Sequence, residues 1–299
     1  MACAKVVDLG AGIDRLEIRL TAEERIGRGG KESLKRTNDR AQNAPGGIMR
    51  KLQTDLSILR KFGFEYAPVG VKFLFKKPEG IERLDKPAPF CRMVRVAQER
   101  GTPFFFSKED EDCFGTIVLG MEDAPLYAEA GLLGEKFEIF QEARANERIY
   151  QHVPMLPKGT VNYVAFSALE ALTFEPDLLI LMATPSQGEI VMRAMSYSTG
   201  ELWESKKTPV MSCAWIYAYP WQSGKVNYMV TGMAFGSKAK QVFPEGWILI
   251  SIPWDKIPVI IKSLEEMTWA LPSYTEGPEK FLEREARVRE EGRRESLNP

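Results

Sequence analysis

The stretch Asp177-Leu-Leu-Ile-Leu-Met-Ala-Thr-Pro185-Ser-Gln-Gly-Glu-Ile-Val-Met-Arg-Ala-Met195 decides the fold class. Its first part, 177–184, is apolar at consecutive positions, the pattern of a strand buried on both faces. Pro185 breaks the extended run. Ser186, followed three residues later by Glu189, then reads as a capping box that opens a helix through Met195. Strand, proline, helix is the grammar of an α/β unit. The expected architecture is therefore α/β, or α+β, with mixed sheets flanked by helices.

Working outward, Val161 to Phe166 predicts the preceding strand, and 226–231 and 247–252 predict two more. Asp255 leads into a helix carrying Ile257, Ile260, Ile261 and Leu264 on one face. Upstream, Ile48, Leu52, Leu56 and Leu59 are spaced as one helix face that Gly63 would end, and Pro68 to Phe75 reads as a buried strand closed by Pro78. Phe90, Met93, Val94 and Ala97 repeat at helical spacing up to Gly101, with Pro89 suited to the first helical position. Cys113 to Gly120 reads as a turn entering a strand, and residues 124–149 as helical and charged on one side. Three regions result: an arm over 1–46, rich in Gly, Lys, Arg and Asn and suited to contacts between copies of the chain; an α/β domain over 47–272; and a charged tail over 273–299.

The bulk numbers narrow the function classes. At 299 residues and 44% hydrophobic, the chain can build a large core without disulfides. Forty basic residues against 41 acidic ones give no electrostatic reason to bind nucleic acid, so a small molecule is the expected partner. Apolar runs such as Leu178 to Ala183 and Trp247 to Pro253 are far short of the roughly 20 residues that span a bilayer. The N-terminal MACAKVVDLG has neither a charged leader nor a sustained apolar core, so no membrane role and a cytoplasmic location are expected. Four cysteines are too few for a disulfide scaffold, and the single histidine, His152, leaves no His-rich metal site.

The expected working centre is therefore cysteine-based. Cys91 falls in the first turn of its helix, where free N–H groups, the helix dipole and nearby Arg92 and Arg95 would favour a thiolate, making it the candidate nucleophile. Cys113 precedes Phe114-Gly115 at a turn, where backbone amides can approach a cluster or anion. Cys213 lies in Met211-Ser-Cys-Ala-Trp-Ile-Tyr217, an apolar and aromatic setting. Cys91 precedes Cys113-Phe-Gly, and Cys213 precedes Met233-Ala-Phe-Gly, at comparable spacing, which suggests two similar halves near 47–155 and 156–272 forming one compact unit. Three thiolates suit zinc or an iron–sulfur cluster, with a fourth position for substrate, water, His152 or Met233. The competing expectation is ordinary core cysteines, since no CxxC is present and free cysteine is among the most buried residue types.

Other motifs carry less. Val6 to Ile13 resembles the Gly-rich turn of nucleotide folds, but Asp14 stands where a third glycine is needed, and the Gly27-Arg-Gly-Gly-Lys-Glu-Ser33 stretch lacks P-loop spacing. The acidic run Glu109 to Asp112 is expected to be a solvated loop, and His152 a surface residue.

Over roughly residues 50–270 the chain resembles the DUF169, or ArCR, family. The resemblance is carried by Pro68-Val-Gly-Val-Lys-Phe-Leu74, Phe90-Cys91 with Val94, Arg95 and Ala97, and Cys113 with Gly115 and Leu119-Gly120. It continues through Asp177 to Pro185 with Gln187, Met192 and Arg193, then Cys213, and Gly232-Met-Ala-Phe-Gly-Ser-Lys238. The resemblance implies a ligand set of Cys91, Cys113 and Cys213 with Gly115, Met233, Gly236 and Lys238 around it. Here Met233 stands where the family pattern has cysteine, and Lys238 where it has arginine, which would leave one coordination position open. Three functions are expected in order: an iron–sulfur or metal protein acting on a small molecule, a metal-free ligand-binding or regulatory module, and a cysteine-nucleophile enzyme.

Overall fold

The computed structural model describes residues 54–297. The arm over 1–46, the Gly-rich turn at 6–13, the glycine stretch at 27–33, Cys3, and the helix positions Ile48 and Leu52 lie outside the described residues. Among the described residues seven strands run as β1 (Tyr66–Leu74), β2 (Glu82–Arg83), β3 (Phe104–Ser107), β4 (Tyr163–Ala168), β5 (Leu178–Ala183), β6 (Asn227–Val230) and β7 (Ile248–Pro253). They form one mixed sheet in the order β2-β3-β4-β1-β5-β7-β6. Only β2 and β3 are parallel neighbours; every other adjacent pair is antiparallel.

All six residues of β5 are buried, as a strand with a layer on each face requires. Its alternate side chains feed two cores. Leu178, Ile180 and Met182 join Val69, Val71 and Phe73 of β1 and Phe166 of β4 under Met93, Val94 and Ala97 and under the helical residues Ala214 to Trp221. Leu179 and Leu181 join Ile250 and Ile252 of β7 beneath the helices Pro185–Tyr197 and Ile257–Glu266, with Leu56, Ile58 and Leu59 at the margin. The result is three layers, helices on both sides of the sheet.

Pro68 sits within β1, a central strand, and cannot donate to a ladder. The β1–β5 register shifts between Tyr66 and Val69, so an irregularity absorbs the missing donor. β4 lies between β3 and β1, and β1 between β4 and β5. Strands from the two sides of residue 155 thus interleave in one sheet, and the expected division into halves does not fall between separate sheets.

Three local expectations are corrected. The cap of the Pro185–Tyr197 helix is Thr184 with Gln187, not Ser186 with Glu189, because Pro185 occupies the first helical position; Glu189 pairs instead with Arg193 at 2.9 Å. The segment after Cys113 is a short helix, Gly115–Val118, not a strand. Residues 124–149 form three short helices, Leu126–Glu129, Leu132–Lys136 and Ala143–Tyr150, rather than a long one. The charged tail is the solvated helix Pro278–Leu297. Among the described residues no helix is long and apolar enough to cross a membrane.

Candidate functional site

Three segments converge at the helical layer over β4 and β1. In the first, Pro89 caps a 3-10 turn, Phe90–Arg92, one position earlier than its expected place inside the helix, and the turn continues as the helix Met93–Arg100. Cys91 lies in that opening turn. Phe90 stacks on Tyr217 with ring centroids 4.0 Å apart, and the Tyr217 hydroxyl donates to the Phe90 carbonyl at 3.2 Å. Tyr217 belongs to the second segment, a helical run over 212–223 that begins beside Cys213 and is wound as a π-helix over Ala214–Ala218. Pro220 follows directly; it has no N–H to give residue 216 and its ring crowds that carbonyl, so the wider turn relieves it. Asn227 of β6, itself buried, donates to the Trp215 carbonyl at 2.9 Å and satisfies a group of the irregular turn.

The third segment is the acidic loop entering Gly115–Val118. Only part of it is the solvated loop expected: Glu109, Asp112 and Cys113 are exposed, but Asp110 is buried and Glu111 half-buried. Asp110 accepts from Arg83 Nε at 2.9 Å and from the Ser107 N–H at 2.9 Å, closing a capping box. The Glu111 carboxylate accepts from the N–H groups of Phe90 at 2.9 Å, Cys113 at 3.1 Å and Thr116 at 3.4 Å. One side chain thereby ties the Cys91 segment to the Cys113 segment.

Cys91 and Cys213 are buried, whereas Cys113 is exposed. The thiols lie close enough to act on one another. Burial first, then the charge of Cys113, pushes the Cys91 thiol up to about 12. Cys213 is driven well above the ordinary thiol value by burial, then by Cys91, Glu111 and Cys113. This reverses the expectation that a helix start would make Cys91 a ready thiolate. Arg92 and Arg95 do not help it: both pair with Glu99, and Arg95 also lies over the Tyr66 ring. The cation at the site is Lys240: burial pushes its ammonium down, but Cys113, with Asp112 and Cys91, together outweigh burial and raise it. Tyr150 also belongs here: burial, then Cys213 and Cys113, lifts its phenol to about 12.

The remaining expected residues divide. Gly115 is integral, since a Cβ there would stand 2.3 Å from Phe90 Cβ. Met233 is 55% exposed, and its Sδ accepts from Lys207 Nζ at 3.1 Å. Lys238 pairs with Glu245 at 3.0 Å, and Gly236 lies in the short helix Phe235–Ala239 with open space at its Cβ position. His152 is exposed. Glu111, Tyr150 and Lys240 were not among the expected site residues; only the place of Glu111 in the acidic run leading to Cys113 hinted at one of them. Among the described residues no three His, Cys, Asp or Glu side chains form a group able to hold a metal ion. The donors are soft enough for zinc or an iron–sulfur cluster, but the three thiols do not stand as a closed ligand set.

The two carboxylates of the loop give opposite pH dependences. Burial raises Glu111 above the ordinary 4.5 in spite of the backbone N–H groups that favour its charge. Its contribution to stability is therefore full below 4.5 and falls as pH rises through the higher folded value. Burial also pushes Asp110 up, but Arg83 and Ser107 outweigh it and hold the carboxyl below 3.8. That contribution is present above 3.8 and is lost as pH falls through the folded value. Melting curves should show the deficit of Glu111→Gln larger at about pH 4 than at about pH 8, and that of Asp110→Asn larger at about pH 7 than at about pH 2.5. Equal deficits at both pH values would contradict the assignment.

The family model DUF169, Uncharacterised ArCR, matches residues 57–263, more than half of the chain, and the chain belongs to that family. No curated protein and no solved structure matches.

Proposed function

We propose that this DUF169 protein works through its thiol site, holding an iron–sulfur cluster or a metal ion such as zinc on the thiolates of Cys91, Cys113 and Cys213 for chemistry on a small molecule. The observation that carries this is convergence: three cysteines from three separate segments lie within electrostatic reach of one another, around a single carboxylate clamp. Without a cation, two buried thiols beside each other stay protonated. A bound metal competes for the same sulfur lone pairs and releases those protons, so binding should strengthen as pH rises. The group would supply redox or Lewis-acid chemistry. Glu111 keeps the Cys91 and Cys113 segments together, and Cys113, exposed on its turn, is the side from which a ligand reaches the site.

The test is anaerobic purification, and reconstitution with ferrous iron and sulfide or with zinc, of wild type and Cys113→Ser. Stoichiometric iron with acid-labile sulfide, or stoichiometric zinc, is expected in wild type, and loss of most of it in the variant. A wild-type protein that takes up neither would overturn the proposal.

A second reading is a metal-free enzyme with a cysteine nucleophile. The exposure of Cys113 and the charge of the nearby Lys240 ammonium favour that residue over Cys91. The same sample discriminates: in metal-free protein, selective alkylation of Cys113 at neutral pH, with Cys91 and Cys213 spared, would select it.

A further inference from the structure

We infer that residues 124–152 form a lid over the chain that carries Cys213, hinged on a fixed base and held shut by two small grips, and that its opening admits small reactants to the buried thiols. Such a lid acts whether or not the thiols hold a metal ion. Its base is firm. The Leu156 N–H donates to the Val118 carbonyl at 2.8 Å and the Gly159 N–H to the Gly120 carbonyl at 3.0 Å, while Lys158 pairs with Asp123 and Lys108 with Glu122 at 3.0 Å. The segment therefore leaves the end of the helix Gly115–Val118 and returns to it at neighbouring points.

The body above that base is loosely attached. Its helices Leu126–Glu129, Leu132–Lys136 and Ala143–Tyr150 pack chiefly on one another. Asn146 Nδ2 donates to the Gly131 carbonyl at 3.1 Å, and a Cβ at Gly134 would stand 2.6 Å from Asn146 Cγ. Within 124–152 only Ala128, Gly131, Gly134 and Asn146 are buried, none of them a large apolar side chain. A segment that buries so little apolar surface belongs to the low-stability end of a fold and opens before the sheet does.

Both grips fall on the chain around Cys213. Phe137, 58% exposed, sets its ring 5.5 Å from that of Phe235, whose N–H donates to the Pro209 carbonyl at 2.7 Å. The Tyr150 hydroxyl donates to Met211 Sδ at 3.8 Å, and the Met211 carbonyl accepts from the Ala214 N–H at 3.0 Å, closing a turn with Cys213 inside it. Ile149, next to Tyr150, packs on the core cluster that contains Cys91 and Cys213. A single aromatic pair and a hydrogen bond to a thioether are each small, so the closed state is favoured by little. Cys113 is exposed, whereas Cys91 and Cys213 are buried. A reactant thus meets one sulfur at the surface and needs the lid open to reach the other two.

The experiment is alkylation of full-length wild type, Phe137→Ala and Gly134→Ala in the presence of a metal chelator, with each cysteine followed by mass spectrometry over a series of low denaturant concentrations. Phe137→Ala removes one grip at an exposed position, and Gly134→Ala disturbs the lid body without touching either grip. In wild type, Cys213 should react with a denaturant dependence well below that of global unfolding, because opening the lid exposes only a small part of the surface. In both variants it should react about threefold to tenfold faster at the same low dependence, the range that the loss of one aromatic pair gives, while Cys113 reacts as in wild type. Labelling of Cys213 that tracks global unfolding in wild type overturns the lid. So do equal Cys213 rates in wild type and both variants.

Discussion

Phe90→Ala should lower stability by about 3–5 kcal/mol and open the thiol site to solvent. Phe90 is 1% exposed. Its ring stacks on Tyr217 at 4.0 Å, lies 5.4 Å from Phe106, and meets Phe166 edge-on at 6.3 Å. Truncation removes the transfer energy of a full aromatic ring and leaves a cavity that three rings on rigid elements cannot fill. It also removes the surface against which Tyr217 is seated, and with it the geometry of the hydroxyl bond to the Phe90 carbonyl. Cys91 is the next residue, so the loss should register chemically as well. Denaturant titration should show a lower midpoint at an unchanged slope, and a thiol reagent should reach Cys91 much faster than in wild type. A loss below about 1 kcal/mol with Cys91 still shielded would contradict the packing described here.

Gly115→Ala should destabilise by about 1–3 kcal/mol or more, and Gly70→Ala by clearly less. Both glycines are crowded, but by different things. At Gly115 a new methyl would stand 2.3 Å from Phe90 Cβ and 2.9 Å from Glu111 Oε1. Neither can step aside: Phe90 is wedged among aromatic rings, and Glu111 is held by three backbone N–H groups. The clash therefore pushes the Cys91 segment away from the carboxylate that ties it to Cys113. At Gly70 the closest atom is Leu172 Cδ1 at 2.8 Å, the tip of a flexible side chain. Alanine also restricts the unfolded chain, a gain of about 0.4–1 kcal/mol that offsets part of the smaller clash. Thermal unfolding of the two variants side by side measures the difference. Equal melting temperatures would show that Phe90 and Glu111 can move after all.

The local elements were written in the sequence wherever the apolar period was long enough to be unambiguous. β5, β1 and the Ile257–Glu266 helix were legible because each presents a continuous or 3.6-periodic apolar pattern bounded by proline or glycine. β3 was not: Phe104-Phe-Phe-Ser is four buried residues without alternation, and becomes a strand only because Phe104 finds Phe166 opposite it on β4. The helix cap was ambiguous for a different reason. Ser186/Glu189 and Thr184/Gln187 have the same spacing, and only the fixed φ of Pro185 at the first helical position selects the second.

For the site, the sequence by itself determined the candidates: a nearly histidine-free chain with cysteines at 91, 113 and 213, at a helix start, a turn and an aromatic segment. The family pattern singled out Met233 beside them. The tertiary structure decided what those residues are to one another. It buries Cys91 and Cys213 and leaves Cys113 outside, turns Glu111 from a solvated charge into a clamp, and brings Lys240 to Cys113. Met233, by contrast, it leaves exposed and engaged by Lys207. The physical reason is the same in each case. Local pattern fixes which face of an element is apolar, whereas strand order, desolvation and charge coupling depend on which distant segment packs against it, and β4 entering between β3 and β1 is a choice that no single stretch of the chain encodes.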